Sequence, residues 1–244
     1  MKGKFYIVGT PIGNREDITL RALKTLYSMD VVLCEDTRAT GKLLGLYEKE
    51  LLDVLEIGGD IPRLERFDDK VEKRRVVEVL EWLGRGKSVA LVSNAGMPLV
   101  SDPGFLLVCE CWEQGIVVEV IPGPSALTAA MSVAGVPVDK VMFLGFLPKR
   151  PGKRSKVWRD LIKLRENEIV IPTVVIYESP FRLKKTVEEI VGELNNPEVV
   201  LVGELTKMHE QVIRGRASEV LKELDEKAKG EWVIMISSKL KAKS

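Results

Sequence analysis

The sequence predicts an α/β protein made of two α/β domains, with a parallel-rich sheet in the N-terminal domain and a mixed sheet in the C-terminal domain. Short apolar runs alternate with longer segments whose apolar residues recur at helical spacing, which is typical of a parallel sheet with helices on its faces. Residues 211–214 follow the apolar run 199–203 without room for a helix, so these two strands are expected to be antiparallel. The 244 residues suffice for two domains, which we expect at residues 1–121 and 122–244.

The individual elements follow from the same patterns. Strands are predicted at residues 5–8, 31–34, 88–92 and 117–121 in the first half, and at 141–144, 173–177, 199–203 and 232–236 in the second. Helical spacing in the first half is clear for Leu20, Leu23, Leu26 and Tyr27, and again for Val76, Val79, Leu80 and Leu83. Further helices are predicted at about 156–166, 181–194 and 217–228.

Composition and charge exclude several classes of protein. Hydrophobic residues make up 45% of the chain and charged residues 30%, as in a folded globular protein rather than a disordered one. The net charge is +1, so attraction to a nucleic acid must come from a local patch. The longest apolar stretches are too short for a membrane span or a signal-peptide core, and we expect a cytoplasmic protein.

The cysteines and the histidine do not suggest a metal site. Cys34, Cys109 and Cys111 are the three cysteines, and we expect them to be free thiols in a reducing compartment. His209 is the sole histidine, and together these residues cannot supply the usual structural zinc ligands. We therefore expect no metal.

Three Gly- and Pro-rich loops leave predicted strands of the first half. They are residues 9–14 (GTPIGN), 93–104 (SNAGMPLVSDPG) and 121–126 (IPGPSA), with Thr19 and Ser125 expected to cap the following helices. Glycine lets the backbone approach a ligand closely, and proline fixes the shape of a loop. One such loop is typical of an ordinary turn. Three of them beyond the carboxyl ends of strands predict a ligand site, because ligands of doubly wound α/β proteins bind there.

A short match to a nucleotide-binding motif has a simpler interpretation. Gly86-Lys87-Ser88 resembles the end of a Walker A loop, but Glu81 stands where the motif requires glycine. The segment also precedes a strand, whereas a phosphate loop follows one and opens a helix. We interpret it as a turn.

Seven segments, in chain order, carry a resemblance to a known family. They are FYIVGTPIGNREDITLRALKTL, CEDTRATGKLL, ALVSNAGMPLVSDPGF, IPGPSALTAAMSVAG, FLGFLPK, YESPFRL and GELTK. On these segments the chain resembles the ribosomal RNA small-subunit methyltransferase I family of the tetrapyrrole-methylase superfamily. The resemblance implies S-adenosylmethionine-dependent 2′-O-methylation of a cytidine in the decoding region of 16S ribosomal RNA. It also implies a cofactor held in a cleft between the two α/β domains, a homodimer, and the small ribosomal subunit or its RNA as partner.

The resemblance also assigns cofactor contacts position by position. From the three loops and from the second domain these are Pro11, Ile12, Met97, Val100, Ser125, Ala126, Tyr177 and Leu205. The chain departs from the family's usual S-D-A-G-T-P at Asn94 and Met97, from Y-E-S-P-H-R at Phe181, and from a His/Asn-rich segment at residues 66–70. These departures concern the side of the site expected to face the substrate.

Methyl transfer to a ribose hydroxyl is mostly a matter of positioning, aided by a base within hydrogen-bond reach. The candidate bases are Asp36, Asp102, Glu178 and Glu204, while Lys207 could instead lower the hydroxyl pKa. Two alternatives remain open: Asp36 could cap the following helix, and Glu204 could pair with Lys207.

Residues 149–159 (KRPGKRSKVWR) contain six basic residues and no acidic one. Such a run is usually a solvated surface, but here it interrupts a chain of balanced charge and favours contact with RNA phosphates. Trp158 is expected in the core. The expected substrate contacts are Lys149, Arg150, Lys153, Arg154, Arg38 and Arg182. The alternatives are a tetrapyrrole or protein methyltransferase of the same fold, and a catalytically silent RNA-binding homologue.

Overall fold

A computed structural model describes residues 2–48, 60–167, 172–224 and 228–237 of the chain. The chain divides into two units, Met1–Ser125 and Ala126–Ser244. Among the described residues, none of the helices has the length and apolar character needed to cross a bilayer. The three cysteines are free thiols, as expected; Cys34 and Cys111 are buried, and Cys109 is half-buried.

The first unit has a five-stranded sheet in the order β3-β2-β4-β1-β5, in which every neighbouring pair is parallel. Its strands are β1 (Phe5–Val8), β2 (Val31–Cys34), β3 (Arg63–Arg66), β4 (Val89–Leu91) and β5 (Val118–Ile121). Its helices are a short 3-10 helix (Arg15–Asp17), α1 (Leu20–Tyr27), α2 (Thr37–Tyr47), α3 (Glu72–Gly84) and α4 (Phe105–Glu113). The parallel N-terminal sheet predicted from the sequence is confirmed.

Helices cover both faces of this sheet. On one face Leu23 and Leu26 of α1 and Leu44 of α2 pack in one core, and on the other Leu83 of α3 and Leu107 of α4 pack in a second. The Thr19 side chain accepts from the Ala22 amide and caps α1, as predicted.

Strand β3 was not expected. Its sequence, RLER, has a single apolar residue, and all four residues are exposed or half-buried. Charged residues suit the edge of a sheet because they oppose pairing with another chain, but they remove the apolar run by which a strand is recognised.

The second unit has a mixed five-stranded sheet in the order β6-β7-β10-β8-β9. Its strands are β6 (Val141–Phe146), β7 (Thr173–Glu178), β8 (Glu198–Gly203), β9 (Gln211–Arg216) and β10 (Trp232–Ser237). Strands β6 and β7 are parallel, whereas the pairs β7–β10, β10–β8 and β8–β9 are antiparallel. The mixed sheet and the antiparallel β8–β9 pair are both confirmed.

The helices of the second unit are α5 (Ala126–Val133), α6 (Pro151–Asn167), α7 (Pro180–Glu193) and α8 (Ala217–Glu223). Trp158 of α6 is buried in the core with Leu183 of α7 and Val220 of α8, which confirms its predicted core position. Helix α6 begins at Pro151, earlier than expected, because proline fits the first turn of a helix. Most of the basic run is therefore helical.

Candidate functional site

Three loops of the first unit meet at one end of its sheet, beyond the carboxyl ends of the strands. Strand β1 lies between β4 and β5 and is parallel to both, so the loops that follow these strands leave the sheet side by side. They are residues 9–14, 93–104 and 122–125. This is the edge at which ligands of doubly wound α/β proteins bind.

The first and third loops touch through two glycines. A Cβ added to Gly123 would lie 2.9 Å from Gly9 Cα, and one added to Gly9 would lie 2.7 Å from both Gly123 Cα and Met97 Sδ. The Gly9 amide also donates to Ile121 O at 3.1 Å. Neither glycine can carry a side chain without moving backbone, so this contact needs glycine on both sides.

A pair of backbone hydrogen bonds joins the first loop to the second. The Thr10 amide donates to Gly96 O at 2.9 Å, and the Gly96 amide donates to Thr10 O at 3.1 Å. Gly96 has a φ of +85°, which favours glycine. The hydroxyls of Thr10 and Ser93 both donate to carbonyl oxygens of residues 93–96. The three loops therefore form one continuous, backbone-lined surface whose parts are joined by hydrogen bonds and close contacts.

The second loop also contains strained backbone. Leu99 has a φ of 69° and Ser101 a φ of 74°, a region that residues other than glycine rarely occupy. Gly104, with a φ of +129°, approaches Leu91 so closely that a Cβ would lie 2.6 Å from Leu91 Cδ2. Such strain is frequent at ligand sites, where the surrounding structure maintains it. Sequence reasoning identified the loop but not Leu99 or Ser101, because neither residue type indicates a positive φ.

The cofactor contacts expected from the first two loops lie on this surface. Ile12 is buried, with its Cγ2 3.2 Å from the position of a Cβ on Gly96. Pro11, Met97 and Val100 are half-buried. The loops bring these four residues to one edge of the sheet.

The other expected cofactor contacts lie at the third loop and in the second unit. Ser125 and Ala126 stand where the third loop enters α5, and both are half-buried. Tyr177 lies near the end of β7, with its ring centroid 4.8 Å from that of Phe143 and 5.7 Å from that of Phe146. Leu205, two residues after β8, is buried. As cofactor contacts, all eight residues stay predictions.

Asp36 caps helix α2, which confirms the first of the two alternatives left open by the sequence. Its Oδ1 accepts from the amides of Ala39 at 3.1 Å and Arg38 at 2.9 Å. These two hydrogen bonds lower the pKa of Asp36 below its ordinary value. A carboxylate with a lowered pKa is a weaker proton acceptor near neutral pH. Arg38 is exposed beside it.

Glu204 and Lys207 form an ion pair, which confirms the other alternative. Lys207 Nζ donates to Glu204 Oε1 at 2.8 Å, and the Glu231 amide donates to the same oxygen at 3.2 Å. Gly230 has a φ of +70°, a region that favours glycine, and a Cβ there would displace the Glu204 carboxylate from this position. The Lys207 ammonium lowers the pKa of Glu204 below its ordinary 4.5.

The pH dependence of stability can test this pair. Because the pKa of Glu204 is lower in the folded chain than in the unfolded one, its stabilising effect is complete above the unfolded value and is lost as pH falls through the folded value. We expect Glu204→Gln to lower the free energy of unfolding by up to about 1 kcal/mol at neutral pH, since Lys207 is partly exposed. Urea titrations should show the difference shrinking below about pH 4. A difference of the same size at neutral pH and at low pH would contradict the ion pair.

Glu178 is buried and fully engaged. It accepts from the Ser179 amide at 2.8 Å, Arg182 Nε at 2.8 Å, Arg182 Nη2 at 2.9 Å and Thr186 Oγ1 at 2.7 Å. Arg182 Nη2 also donates to Leu147 O at 2.9 Å. This geometry gives Glu178 and Arg182 a structural role, joining the start of α7 to the loop after β6, rather than the roles of base and RNA contact expected from the sequence.

The basic run separates into exposed and buried members. Lys149, Arg150 and Lys153 are exposed, and none of them forms an ion pair with a residue that the structure describes. Arg154 is 3% exposed, and its Nη2 bonds Glu189 Oε1, while Trp158 Nε1 donates to Glu189 Oε2 at 3.0 Å. Arg154 therefore holds α6 against α7 instead of facing solvent, contrary to its expected role as a phosphate contact. The sequence contained no signal for this, because Glu189 is a distant, unremarkable glutamate.

The described residues contain no group of three or more His, Cys, Asp or Glu that could hold a metal ion. Residue Asp102 is half-buried in the second loop. Its assignment as a base stays a prediction.

The chain is similar to known proteins along most of its length. Residues 4–221 match the family model of Tetrapyrrole (Corrin/Porphyrin) Methylases. Two relatives are both named ribosomal RNA small subunit methyltransferase I. The one from Thermotoga maritima is 44% identical over 97% of this chain and 99% of its own length. The one from Escherichia coli O157:H7 is 41% identical over 96% of this chain and 78% of its own length.

Solved structures with the same fold are more distant in sequence. Uroporphyrin-III C-methyltransferase from Thermus thermophilus, complexed with S-adenosylhomocysteine, superimposes with a TM-score of 0.61 at 21% identity, covering 96% of this chain and 97% of that chain. A diphthine synthase superimposes with a TM-score of 0.65 at 18% identity, covering 97% of this chain and 90% of that chain. At these identities the likeness concerns the fold.

Proposed function

Because the chain belongs to the tetrapyrrole (corrin/porphyrin) methylases, with relatives named ribosomal RNA small subunit methyltransferase I along nearly its whole length, we propose that it methylates small-subunit ribosomal RNA with S-adenosylmethionine. More narrowly, we propose the 2′-hydroxyl of a cytidine ribose as the acceptor. The observation that carries the proposal is the identity of 44% over 97% of the chain. The seven segments that suggested this family from the sequence run through the same residues.

The loop surface of the first unit suits S-adenosylmethionine. The loops approach one another closely at Gly9, Gly96 and Gly123, where a Cβ would meet atoms of the neighbouring loop. The surface that they form is lined by apolar side chains. We propose that Pro11, Ile12, Met97, Val100, Ser125 and Ala126 hold the cofactor there. The sulfonium centre supplies the electrophilic methyl group, so the chain has to orient the cofactor and the acceptor and exclude water. Tyr177 and Leu205 stay predicted contacts.

Lys207 is the candidate that best suits a chemical role. As the ribose oxygen takes the methyl group, S-adenosylhomocysteine leaves and the hydroxyl proton passes to a solvent base. A nearby ammonium stabilises the negative charge that develops on the oxygen. The Glu204 carboxylate, held by Lys207 and the Glu231 amide, keeps that ammonium in one place. Glu204 is then a positioning residue. Asp36 is the weaker candidate because its carboxylate already caps α2.

Replacing Lys207 tests this assignment. We expect Lys207→Met to lower kcat by about 100-fold, the scale of losing one electrostatic contact to a developing charge, while leaving the Kd for S-adenosylmethionine unchanged. Lys207→Arg should restore part of kcat. Single-turnover methylation and calorimetry measure the two quantities, and an unchanged kcat in Lys207→Met would remove Lys207 from the mechanism.

We propose that the RNA meets the exposed basic residues Lys149, Arg150 and Lys153. They lie where β6 ends and α6 begins, and no acidic residue occurs in the run 149–159. Phosphate contacts of this kind release counterions, so binding weakens as salt rises. Arg38, exposed at the start of α2, stays a predicted contact. Arg154 and Arg182 are left out because other groups of the chain already engage them: the Glu189 carboxylate bonds Arg154, and the buried Glu178 carboxylate and Leu147 carbonyl bond Arg182.

The neighbours Lys153 and Arg154 provide a matched pair of substitutions. Lys153→Ala should weaken RNA binding and reduce the slope of log K against log salt by about one, with no loss of stability. Arg154→Ala should lower the free energy of unfolding by about 2–4 kcal/mol, because it leaves Glu189 without its charge partner. Salt titrations and urea denaturation of both variants make the comparison. The reverse pattern would show that the exposed and buried assignments are interchanged.

The acceptor is tested by mapping 2′-O-methyl groups in ribosomal RNA. Mass spectrometry of RNA from cells that lack the protein should show one missing 2′-O-methylcytidine in the small subunit, restored by the wild-type chain and not by Lys207→Met. The purified protein should methylate naked RNA or assembled small subunits. Activity only on a porphyrinoid or only on a protein would overturn the proposal, and failure to bind S-adenosylmethionine would favour a silent RNA-binding homologue.

We also propose a homodimer. Helix α4 exposes two large apolar side chains, Phe105 at 74% and, two turns further along the same face, Trp112 at 67%. Exposed aromatic side chains of this kind are enriched where two protein surfaces meet. Sedimentation equilibrium measures the oligomeric state.

A further inference from the structure

Phe181 presents a nearly bare aromatic ring on a rigid support. Its side chain is 97% exposed although it lies in the first turn of α7. Pro180 before it fixes the backbone, and Arg182 after it is tied to the buried Glu178. The ring is therefore held out into solvent by a backbone that cannot relax to bury it.

Phe181 lies next to the segment that carries the basic residues Lys149 and Arg150. Strands β6 and β7 are parallel neighbours, so the segments that follow them leave the sheet side by side, about 5 Å apart. Arg182 Nη2 donates to Leu147 O at 2.9 Å, which joins the residue after Phe181 to the loop that carries Lys149 and Arg150. The bare ring and the exposed positive charges thus share one edge of the sheet, the one at the carboxyl ends of β6 and β7.

A second exposed apolar side chain lies along the same edge. Strand β8 points the same way as β7, because both are antiparallel to β10 between them. Met208, in the turn after β8, is 93% exposed. The edge therefore presents Lys149 and Arg150 after β6, Phe181 after β7 and Met208 after β8.

Rigid aromatic rings beside positive charges match the chemistry of a single-stranded nucleic acid, in which a flat base alternates with a phosphate. Lysine is depleted at protein–protein interfaces, whereas Lys149 lies exposed on the same edge as this ring, which favours a nucleic acid over a folded protein partner. We propose that Phe181 stacks on an unpaired base of the RNA substrate whose phosphates contact Lys149 and Arg150. This inference rests on the proposed function and adds a residue that recognises the unpaired state of the RNA.

Three variants of Phe181 test the stacking. Phe181→Ala should raise the Kd for a small-subunit RNA fragment about 5- to 150-fold, the range for loss of one aromatic–base stack. Phe181→Leu keeps apolar area without an aromatic face and should bind nearly as weakly, whereas Phe181→Trp should bind at least as tightly as wild type. Because the side chain is exposed, urea midpoints should be unchanged in all three.

Salt dependence and fluorescence separate stacking from a merely structural effect. Phe181→Ala should leave the slope of log K against log salt unchanged, whereas Lys149→Ala should reduce it by about one. With 2-aminopurine at successive unpaired positions, wild-type protein should change the emission at one position, and Phe181→Ala should abolish that change.

The outcomes distinguish this inference from the proposed function. If wild-type protein methylates the RNA and Phe181→Ala binds it as tightly as wild type, stacking is excluded and the methyltransferase assignment stands. Equal weakening by Phe181→Ala and Phe181→Trp would also exclude stacking. If wild-type protein neither binds nor methylates the RNA, the proposed function itself fails.

Discussion

Gly123→Ala should reduce the affinity for S-adenosylmethionine by at least about 100-fold. The new Cβ would lie 2.9 Å from Gly9 Cα and C and 3.0 Å from Gly9 O, all of them backbone atoms. The first and third loops must then separate, which misplaces the surface proposed to hold the cofactor, and the loss of contacts worth about 3 kcal/mol there corresponds to roughly 100-fold in affinity. Gly9→Ala, which meets Gly123 Cα and Met97 Sδ at 2.7 Å, should have the same effect.

Calorimetry with S-adenosylmethionine measures the affinity, and urea denaturation shows how much of each variant is folded. Overpacking of this kind costs about 1–3 kcal/mol of stability, so a folded population should remain for the titration. Gly84→Ala is the matched control: no atom lies within 4 Å of its added Cβ, and it ends a helix of the same unit. Normal affinity in both Gly9→Ala and Gly123→Ala would place the cofactor elsewhere.

Glu178→Ala should lower the free energy of unfolding by about 3–5 kcal/mol. The substitution leaves Arg182 without its carboxylate and removes the acceptor of the Thr186 hydroxyl, which is 0% exposed. Breaking such an ion pair from one side is costly because the remaining charge, here the Arg182 side chain that is only 22% exposed, loses its counter-ion. The same change should also weaken the hydrogen bond from Arg182 of α7 to Leu147 O, because Glu178 holds the Arg182 guanidinium in position for it.

Urea denaturation followed by tryptophan fluorescence measures this loss, because Trp158 and Trp232 are both buried in the core of the second unit. Glu188→Ala, at an exposed position of the same helix, is the control and should change stability by less than about 0.5 kcal/mol. Glu178→Ala combined with Arg182→Ala should cost less than the sum of the single changes. Full additivity would show that the two side chains do not act as a pair.

Much of the fold follows from local pattern. Strands β1 and β2 begin and end at the expected residues, and the other strands expected in the first half are each about a residue or two shorter than expected. The run RLER of β3 was missed because an edge strand of charged residues has no apolar periodicity. Helix α6 was expected to begin later, since Pro and Gly usually mark a loop but also fit a helix's first turn.

Less of the candidate site than of the fold could be predicted from the sequence. The three loops of the first unit were recognised from their glycines and prolines, yet the pairing of Gly9 with Gly123 was not, because those residues meet only when β1 and β5 lie side by side. Lys153 and Arg154 show the same limit. They are adjacent and both basic, and no sequence pattern separates the exposed one from the one that faces Glu189.

What the sequence by itself determined is therefore the alternation of strands and helices, the loops that leave the strands, and the family, all of which depend on residues close together in the chain. Only the tertiary structure decided which charged groups are available for chemistry. Glu178 and Arg154 are buried and Arg182 is half-buried, all three in ion pairs, whereas Lys149 and Arg150 face solvent. The reason is physical: burial and pairing depend on partners such as Arg154 and Glu189, which are 35 residues apart and meet only when α6 and α7 pack on one sheet.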